Sequence, residues 1–190
     1  MNSSMKWMTS DRNDCPDSSN HFKKQKETDN LYWVQHRAFR DVDIQRIINS
    51  EKDDEWLLER LYFFMNKANE ESGWRYEIKG EQVQLHNYRV GNQYRWHRDG
   101  LASHNSVVKT KDSPIFNMTR KLSMTILLND PSEFMGGEFM MKDHNINNFN
   151  IPLFKGSVLV FPSWQSHSVY IVKQGERHSL PVFFYGHPFK

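Results

Sequence analysis

The first 30 residues carry few hydrophobic side chains, and no regular spacing relates them. The six that occur are Met1, Met5, Trp7, Met8, Cys15 and Phe22. A segment this polar cannot bury enough apolar surface to offset the entropy lost on ordering it. We therefore expect residues 1–30 to be a disordered polar tail, with a partner-binding arm as the alternative, followed by a single domain over residues 31–190.

Hydrophobic positions become regular after this tail. The run LYWVQHRAF, residues 31–39, alternates and is rich in β-formers, which predicts a strand. Isoleucines at i, i+3 and i+4 then predict a short helix through Ile44, Ile47 and Ile48. Asp53 and Asp54 are expected to open a second helix, because carboxylates suit its positive end. The buried face of that helix is predicted to be Leu57, Leu61, Phe64, Met65 and Ala68.

From about residue 74 onwards, short β-rich runs alternate with turn signals. The turn signals are Lys79-Gly80, Gly91-Asn92, Asn129-Asp130-Pro131, Gly136-Gly137, Lys155-Gly156 and Gln174-Gly175. Strands at this spacing indicate a sandwich or barrel packed against the helices. Residues 100–119 lack periodicity, and a connection of that length predicts a functional lid.

Composition supports a strand-rich domain and excludes several classes of protein. The chain has 13 Phe, 7 Tyr and 6 Trp against three Ala, a balance that favours strands. It has no run of 18 apolar residues and no apolar signal core, so we expect a cytoplasmic protein without a membrane span. The single cysteine excludes an internal disulfide and a CxxC metal site. A net charge of +2 gives no electrostatic footprint for nucleic acid.

Three side chains in the second half of the chain can form a metal site. His97 and Asp99 are two residues apart, so on a strand they would project from the same face. His167 is predicted to open a strand after the apolar run that ends at Pro162. Two histidines and one carboxylate can occupy one face of an octahedron, and this is the ligand set of non-haem ferrous oxygenases.

A second group of side chains has the chemistry of a carboxylate receptor. Arg177 and Ser179 share a face by strand parity. A guanidinium beside a hydroxyl binds a carboxylate through charge-assisted hydrogen bonds. A dicarboxylate that chelates a metal at one end needs such a receptor at its other end.

Ordered motifs through this region resemble one enzyme family. They begin with a YxxGxxYxxHxD layout formed by Tyr88, Gly91, Tyr94, His97 and Asp99. They continue in order with RKLSMTILLND (120–130), GGE (136–138), FPSWQSH (161–167) and GERHSL (175–180). Over about residues 85–186 the sequence resembles the 2-oxoglutarate- and Fe(II)-dependent dioxygenases of the prolyl 4-hydroxylase-like branch, most of all its small PKHD-type and bacteriophage members.

The resemblance implies a fold, cofactors and residue roles. The fold would be mainly β with α, a double-stranded β-helix (a cupin-like jelly roll) over about residues 83–187 with N-terminal helices as a buttress. The residues implied to bind Fe(II) are His97, Asp99 and His167, and those implied to bind 2-oxoglutarate are Arg177, Tyr88 and Ser179. Dioxygen is the other co-substrate, and ascorbate is an expected reductant. Because histidines must be neutral to ligate, activity is expected to be lost below about pH 6.

The resemblance also implies a reaction class and a range of substrates. Related halogenases replace the metal-binding carboxylate, so the presence of Asp99 favours hydroxylation, with release of succinate and CO2. The branch favours a prolyl residue in a peptide or protein, while a free amino acid, another small molecule or a nucleotide stays open. RHSLPVF, residues 177–183, lacks the RxNxTxR of nucleic-acid demethylases. Substrate contacts are expected at Tyr94, Trp164 and His104, and His86 is interpreted as structural.

Two other classes of protein are alternatives to a hydroxylase. A metal-dependent cupin-like isomerase or zinc enzyme would use the same ligands without needing Arg177. A non-catalytic jelly-roll binding module would need neither the metal ligands nor Arg177.

Pro181 has no N–H to donate to a neighbouring strand, so its strand is predicted to lie at a sheet edge or to be bulged there.

Overall fold

The computed structural model describes residues 31–49, 55–100 and 107–188. The predicted tail, the pair Asp53 and Asp54, and His104 lie outside these ranges. Helix α1 is Asp41–Ile48 and helix α2 is Glu55–Glu71. The strands are β1 Trp33–Gln35, β2 Gly80–Val83, β3 His86–Tyr88, β4 Tyr94–His97, β5 Thr119–Leu127, β6 Phe134–Gly136, β7 Phe139–Lys142, β8 Asn148–Asn150, β9 Val158–Pro162, β10 His167–Val169, β11 Val172–Gly175 and β12 Arg177–Gly186.

The two helices form an outer layer on one face of a large sheet. The predicted buried face of α2 is confirmed, since its buried residues are Leu57, Leu61, Phe64, Met65 and Ala68. In α1, Ile44 and Ile47 are buried as predicted, but Ile48 is 44% exposed. Its stripe is therefore narrower than the three-isoleucine pattern. Neither helix in this part of the chain has the length and apolar character that crossing a membrane requires.

The large sheet is antiparallel and separates two cores. Its strand order is β1–β9–β5–β12–β2, and β3 also pairs with β12. Alternate residues of a strand point to opposite faces. Leu122, Met124 and Ile126 of β5 thus pack in the core beneath the helices, whereas Leu127 packs in the second core.

The second core lies between the large sheet and a smaller one. The smaller sheet has the order β4–β10–β7–β8, and β6 pairs with β11 in a separate ribbon. Leu159 and Phe161 of the large sheet meet Phe139 and Met141 of the smaller sheet in this core. Two sheets packed face to face, with helices outside the larger one, confirm the predicted jelly roll with its helical buttress.

The position of Pro181 differs from the prediction. Its strand, β12, is interior, because β5 flanks one side and β2 with β3 flank the other. The carbonyl of Pro181 accepts a hydrogen bond from the Gln84 amide at 2.9 Å, within the short break between β2 and β3. In an antiparallel strand the N–H and C=O of the same residue point to the same side. The side of Pro181 that lacks an N–H therefore faces the break between β2 and β3, where no strand residue needs that donor. The prediction of an edge or of a bulge at Pro181 is wrong, since the partner strand breaks instead.

The described part of the predicted lid, residues 107–118, contains no helix or strand. It is closed by two backbone hydrogen bonds of 2.9 Å, one from the Val108 amide to Met118 and one from the Asn117 amide to Val108. A Cβ added at Gly80 would lie 2.8 Å from Ile115 Cγ2, so the loop packs against the start of β2. A lid function for this loop stays a prediction.

Two neighbouring phenylalanines of α2 test the packing of the helical layer. Phe64 is 3% exposed and contacts the ring of Phe39, whereas Phe63 is 44% exposed. We expect Phe64→Ala to lower the free energy of unfolding by about 3–5 kcal/mol, because it leaves a cavity in the core. Phe63→Ala, the matched control, should cost about 1 kcal/mol. Urea unfolding followed by circular dichroism measures both losses, and equal losses would contradict this account of the helical layer.

Candidate metal and co-substrate site

His97 and Asp99 converge, although only His97 lies on a strand. Strand β4 ends at His97, and Asp99 follows in a bend. The sequence predicts that the two side chains share one face of a strand. That part of the prediction is wrong, because Asp99 lies beyond the end of the strand and a bend brings it to His97. The bend is held by a 2.8 Å hydrogen bond from the Gly100 amide to the Ser163 carbonyl. It brings one carboxylate oxygen of Asp99 to 3.3 Å from His97 Nε2.

His167 opens β10, as predicted, and pairs directly with His97 across the smaller sheet. The centroids of the two imidazole rings lie 4.2 Å apart. Nε2 of His167 lies 3.4 Å from the second carboxylate oxygen of Asp99. One ligand atom from each of the three residues lies within 4.8 Å of the others. The structure thus brings the three predicted metal ligands together.

The hydrogen bonds of the two imidazole rings determine which nitrogen of each ring is directed toward Asp99. Nδ1 of His97 lies 2.7 Å from the Arg95 carbonyl, and Nδ1 of His167 lies 2.9 Å from the Gln165 carbonyl. A carbonyl can only accept, so each Nδ1 carries a proton and each ring presents its Nε2 to the Asp99 carboxylate. Nε2 of His97 is buried and has no hydrogen-bond partner among the described residues. Two imidazole Nε2 atoms and a carboxylate facing one another have the chemistry to hold a cation between them.

Local electrostatics keep these groups in their ligating forms. Burial lowers the pKa of His167, which favours the neutral ring. Burial alone would raise the pKa of Asp99, but its interactions with His97, His167 and Ser123 outweigh that effect and bring it below its ordinary value. At neutral pH the site therefore holds a carboxylate and a neutral His167, the forms that a divalent metal requires.

Two groups behind Asp99 hold it in place. The buried Ser123 hydroxyl lies near the carboxylate and helps to lower its pKa. It also lies 2.9 Å from the hydroxyl of buried Ser163, and either of these two hydroxyls can be the donor. Arg120 donates to the Asp99 carbonyl at 3.2 Å and to the Tyr185 hydroxyl at 2.9 Å. The bend after β4 is thus anchored through both its side chain and its backbone.

Arg177 is a buried cation beside the predicted hydroxyl. It is 2% exposed and donates to the Ser179 hydroxyl at 3.0 Å. Its guanidinium carbon lies 5.7 Å from the ring centroid of Tyr88, the residue opposite it on β3. Among the described residues, no carboxylate lies within ion-pair distance of Arg177, and burial lowers its pKa to about 10. A buried guanidinium without a counter-ion is costly, so this group fits the carboxylate of a ligand.

The GGE motif makes room for this guanidinium. A Cβ added at Gly137 would lie 2.9 Å from Arg177 Cδ, and the residue has φ +68°. Both the close approach and the left-handed backbone require glycine. Gly137 therefore does more than form the predicted turn.

The predicted substrate residues have different environments. Tyr94 is 47% exposed, and its ring centroid lies 3.8 Å from that of His97, so it stands at the open side of the metal ligands. Trp164 is half-buried between β9 and β10, and its ring contacts Tyr76 edge-on at 5.5 Å. His104 lies outside the described residues. Substrate contact at these three positions stays a prediction.

Sequence reasoning missed three residues around the site. Ser123 and Arg120 lie within RKLSMTILLND, and no spacing in that motif relates them to Asp99. His86, interpreted as structural, lies opposite Ser179 on β3. Alternating polar residues at Gln84, His86 and Tyr88 were the signal that could have placed it on the same face as the receptor.

A sequence model of the 2OG-Fe(II) oxygenase superfamily matches residues 83–185, more than half of the chain. A PKHD-type hydroxylase of Xylella fastidiosa strain M12 is 32% identical over 98 residues, which are 52% of this chain and 40% of that protein. The chain spans less than half the length of this relative, and the same holds for a PKHD-type hydroxylase of Prochlorococcus marinus strain NATL1A, of which it covers 30%.

Solved structures have the same fold at low sequence identity. A Pseudomonas putida prolyl-4-hydroxylase has a TM-score of 0.62 at 18% identity, over 84% of this chain and 89% of that one. A Trichoplax adhaerens prolyl hydroxylase, in complex with a peptide fragment of the hypoxia inducible factor oxygen degradation domain, has a TM-score of 0.62 at 13% identity. That match covers 82% of this chain and 84% of the other.

The Ser123 hydroxyl provides a test of how Asp99 is positioned. We expect Ser123→Ala to weaken Mn(II) binding by about 10–100-fold, because the carboxylate loses the neighbouring hydroxyl that stabilises its charged form. Ser168→Ala is the matched control, since Ser168 is a buried strand serine whose hydroxyl has no hydrogen-bond partner among the described residues. Isothermal titration calorimetry with Mn(II) measures both affinities. Equal affinities for the two variants would contradict a positioning role for Ser123.

Proposed function

Because the chain belongs to the 2OG-Fe(II) oxygenase superfamily, we propose that it is an Fe(II)- and 2-oxoglutarate-dependent dioxygenase that hydroxylates an unactivated C–H bond. The proposal is carried by two neighbouring groups of side chains of opposite character, each of which fits a ligand of opposite charge. One is the electron-rich set of His97, Asp99 and His167, and the other is the buried cation of Arg177. Tyr88 lies near both groups: its ring centroid is 5.7 Å from the Arg177 guanidinium carbon. Burial raises the pKa of its hydroxyl, the charge of Arg177 acts to lower it and the charge of Asp99 acts to raise it.

Each group has one role in the proposal. The three residues would hold Fe(II) through His97 Nε2, the Asp99 carboxylate and His167 Nε2, the ligand set of non-haem ferrous oxygenases. Arg177 and Ser179 bind the distal carboxylate of 2-oxoglutarate through charge-assisted hydrogen bonds. This arrangement orients the keto acid end of the co-substrate toward the metal ligands.

The bound metal supplies the redox chemistry that the side chains lack. In the overall reaction, substrate, dioxygen and 2-oxoglutarate give hydroxylated substrate, succinate and CO2. One oxygen atom enters the substrate and the other enters succinate. Ascorbate is proposed only as a reductant that keeps the iron ferrous between turnovers.

We propose a prolyl residue in a peptide or protein as the substrate. Support comes from the relatives, which are PKHD-type hydroxylases, and from the prolyl hydroxylases of the same fold, one of them in complex with a peptide. Within this chain, the exposed ring of Tyr94 beside His97 offers an aromatic surface next to the metal ligands. Aromatic walls are typical of pockets that hold an apolar ring.

The test is succinate release in the presence of Fe(II), 2-oxoglutarate and oxygen. The panel contains proline peptides, free amino acids, small molecules, nucleotides and single-stranded nucleic acid. We expect proline peptides to raise succinate well above the His97→Ala control, which lacks one metal ligand. Arg177→Gln should lose turnover at ordinary co-substrate concentrations, because the distal carboxylate loses its counter-ion. Arg75→Gln, at an exposed arginine away from the site, is the matched control and should behave as the unmodified chain does.

Other outcomes separate the alternatives. Turnover stimulated only by another class of compound would replace the prolyl substrate but keep the chemistry. A metal-dependent conversion of a panel compound that releases no succinate and that Arg177→Gln leaves fully active would favour a metal-dependent isomerase or zinc enzyme. Succinate no higher than that of His97→Ala with every compound would overturn the proposed activity and favour a binding module.

A further inference from the structure

His86 lies inside the proposed co-substrate site. On β3 the even-numbered residues are half-buried, while Asn87 between them is exposed. Strand register places Tyr88 opposite Arg177 and His86 opposite Ser179. Directly opposed residues of an antiparallel pair share one face, with Cβ atoms about 5 Å apart. The imidazole of His86 therefore stands beside the same guanidinium and hydroxyl pair that receives the distal carboxylate.

The contacts of His86 connect it to Tyr88. Nδ1 of the ring lies 3.4 Å from the Tyr88 hydroxyl oxygen, and Nε2 lies 3.0 Å from Gln84 Oε1. Burial, and then the charge of Arg177, lower the pKa of His86, while Asp99 acts in the opposite direction. The ring thus lies near enough to both the guanidinium and Asp99 to be affected by their charges. A half-buried histidine in that position has neighbours that a purely structural role does not require.

We infer that His86 is a positioning residue for the co-substrate: supported by Gln84, it orients the Tyr88 hydroxyl toward the distal carboxylate of 2-oxoglutarate. The inference rests on the proposed function, because that carboxylate is the group which Tyr88 and Arg177 would receive.

Hydrogen-bond chemistry explains why Tyr88 needs this partner. The tyrosine hydroxyl has one proton, and a carboxylate can only accept. When the carboxylate is bound, the proton of Tyr88 is donated to it, and the Tyr88 oxygen becomes free to accept. In the structure Nε2 faces Gln84 Oε1 and donates to it, so Nδ1 accepts from the Tyr88 hydroxyl. With the carboxylate bound and the Gln84 amide turned, the Nδ1–H tautomer of His86 would supply a donor for the Tyr88 oxygen. Gln84 can serve either tautomer of the ring, because its amide offers both a carbonyl oxygen and an NH2 group.

This chain of donors predicts selective effects on ligand binding. The 2-oxoglutarate analogue 2-oxopentanoate keeps the keto acid and the chain length but has a methyl group where the distal carboxylate would be. A residue that acts through the carboxylate should affect 2-oxoglutarate and leave 2-oxopentanoate unchanged. A residue that acts through Tyr88 should have no effect once the hydroxyl is removed.

The experiment is a double-mutant cycle read by equilibrium binding to the Mn(II)-loaded protein, using isothermal titration calorimetry. We expect His86→Phe to raise the Kd for 2-oxoglutarate about fivefold, equivalent to one lost hydrogen bond. His86→Gln, which keeps a donor and an acceptor, should recover part of this loss. In the Tyr88→Phe background, His86→Phe should have no further effect. Asn87→Ala, on the opposite face of the same strand, is the matched control and should bind both ligands as the unmodified chain does.

The outcomes separate this inference from the proposed function. An unmodified, Mn(II)-loaded protein that does not bind 2-oxoglutarate would overturn the proposed function itself. If the unmodified protein binds 2-oxoglutarate, three results would overturn the role of His86 alone. These are an unchanged Kd in His86→Phe, an equal loss for 2-oxopentanoate, and an equal loss in the Tyr88→Phe background. Mn(II) affinity of the same variants, measured first, shows that each one retains a folded metal site.

Discussion

Two imidazole Nε2 atoms face one buried carboxylate, and the surrounding structure is arranged to hold these three groups together. On the far side of each ring, Nδ1 donates a hydrogen bond to a backbone carbonyl, that of Arg95 for His97 and that of Gln165 for His167. The register of β4 with β10 then places His97 beside His167. Such a concentration of lone pairs and negative charge is unfavourable unless a cation neutralises it. The same constraint makes the anchoring of Asp99 by its neighbours necessary.

The two cores make this polar site compatible with a stable fold. In β5 and β12 the residues that alternate with the site side chains, such as Met124 and Leu180, are buried beneath the helices. The apolar packing of the large sheet is therefore concentrated on its outer face, and its inner face can carry Ser123, Arg177 and Ser179. A buried cation and a set of metal ligands can thus share one fold with a well-packed hydrophobic layer.

The features that could be predicted from the sequence are those that a local pattern determines. The buried face of α2 follows from helical spacing, and the motifs around His97, His167 and Arg177 indicated which side chains would converge. Other features depend on strand neighbours that are distant in the sequence. The break between β2 and β3 opposite Pro181 arises from strand pairing, as does the position of His86 opposite Ser179. Alternation along β3 could place His86 on the same face as Tyr88, but no local pattern indicates which residue lies opposite it on another strand.

The central claim is that one cation and one dicarboxylate complete this site. It is tested most directly by a crystal structure of the protein with Mn(II) and 2-oxoglutarate, in which anomalous scattering locates the metal. The account predicts a single manganese ion bound to His97 Nε2, the Asp99 carboxylate and His167 Nε2, with the distal carboxylate of 2-oxoglutarate paired with Arg177 and Ser179. A metal ion bound elsewhere, or a 2-oxoglutarate whose distal carboxylate does not contact Arg177, would contradict it.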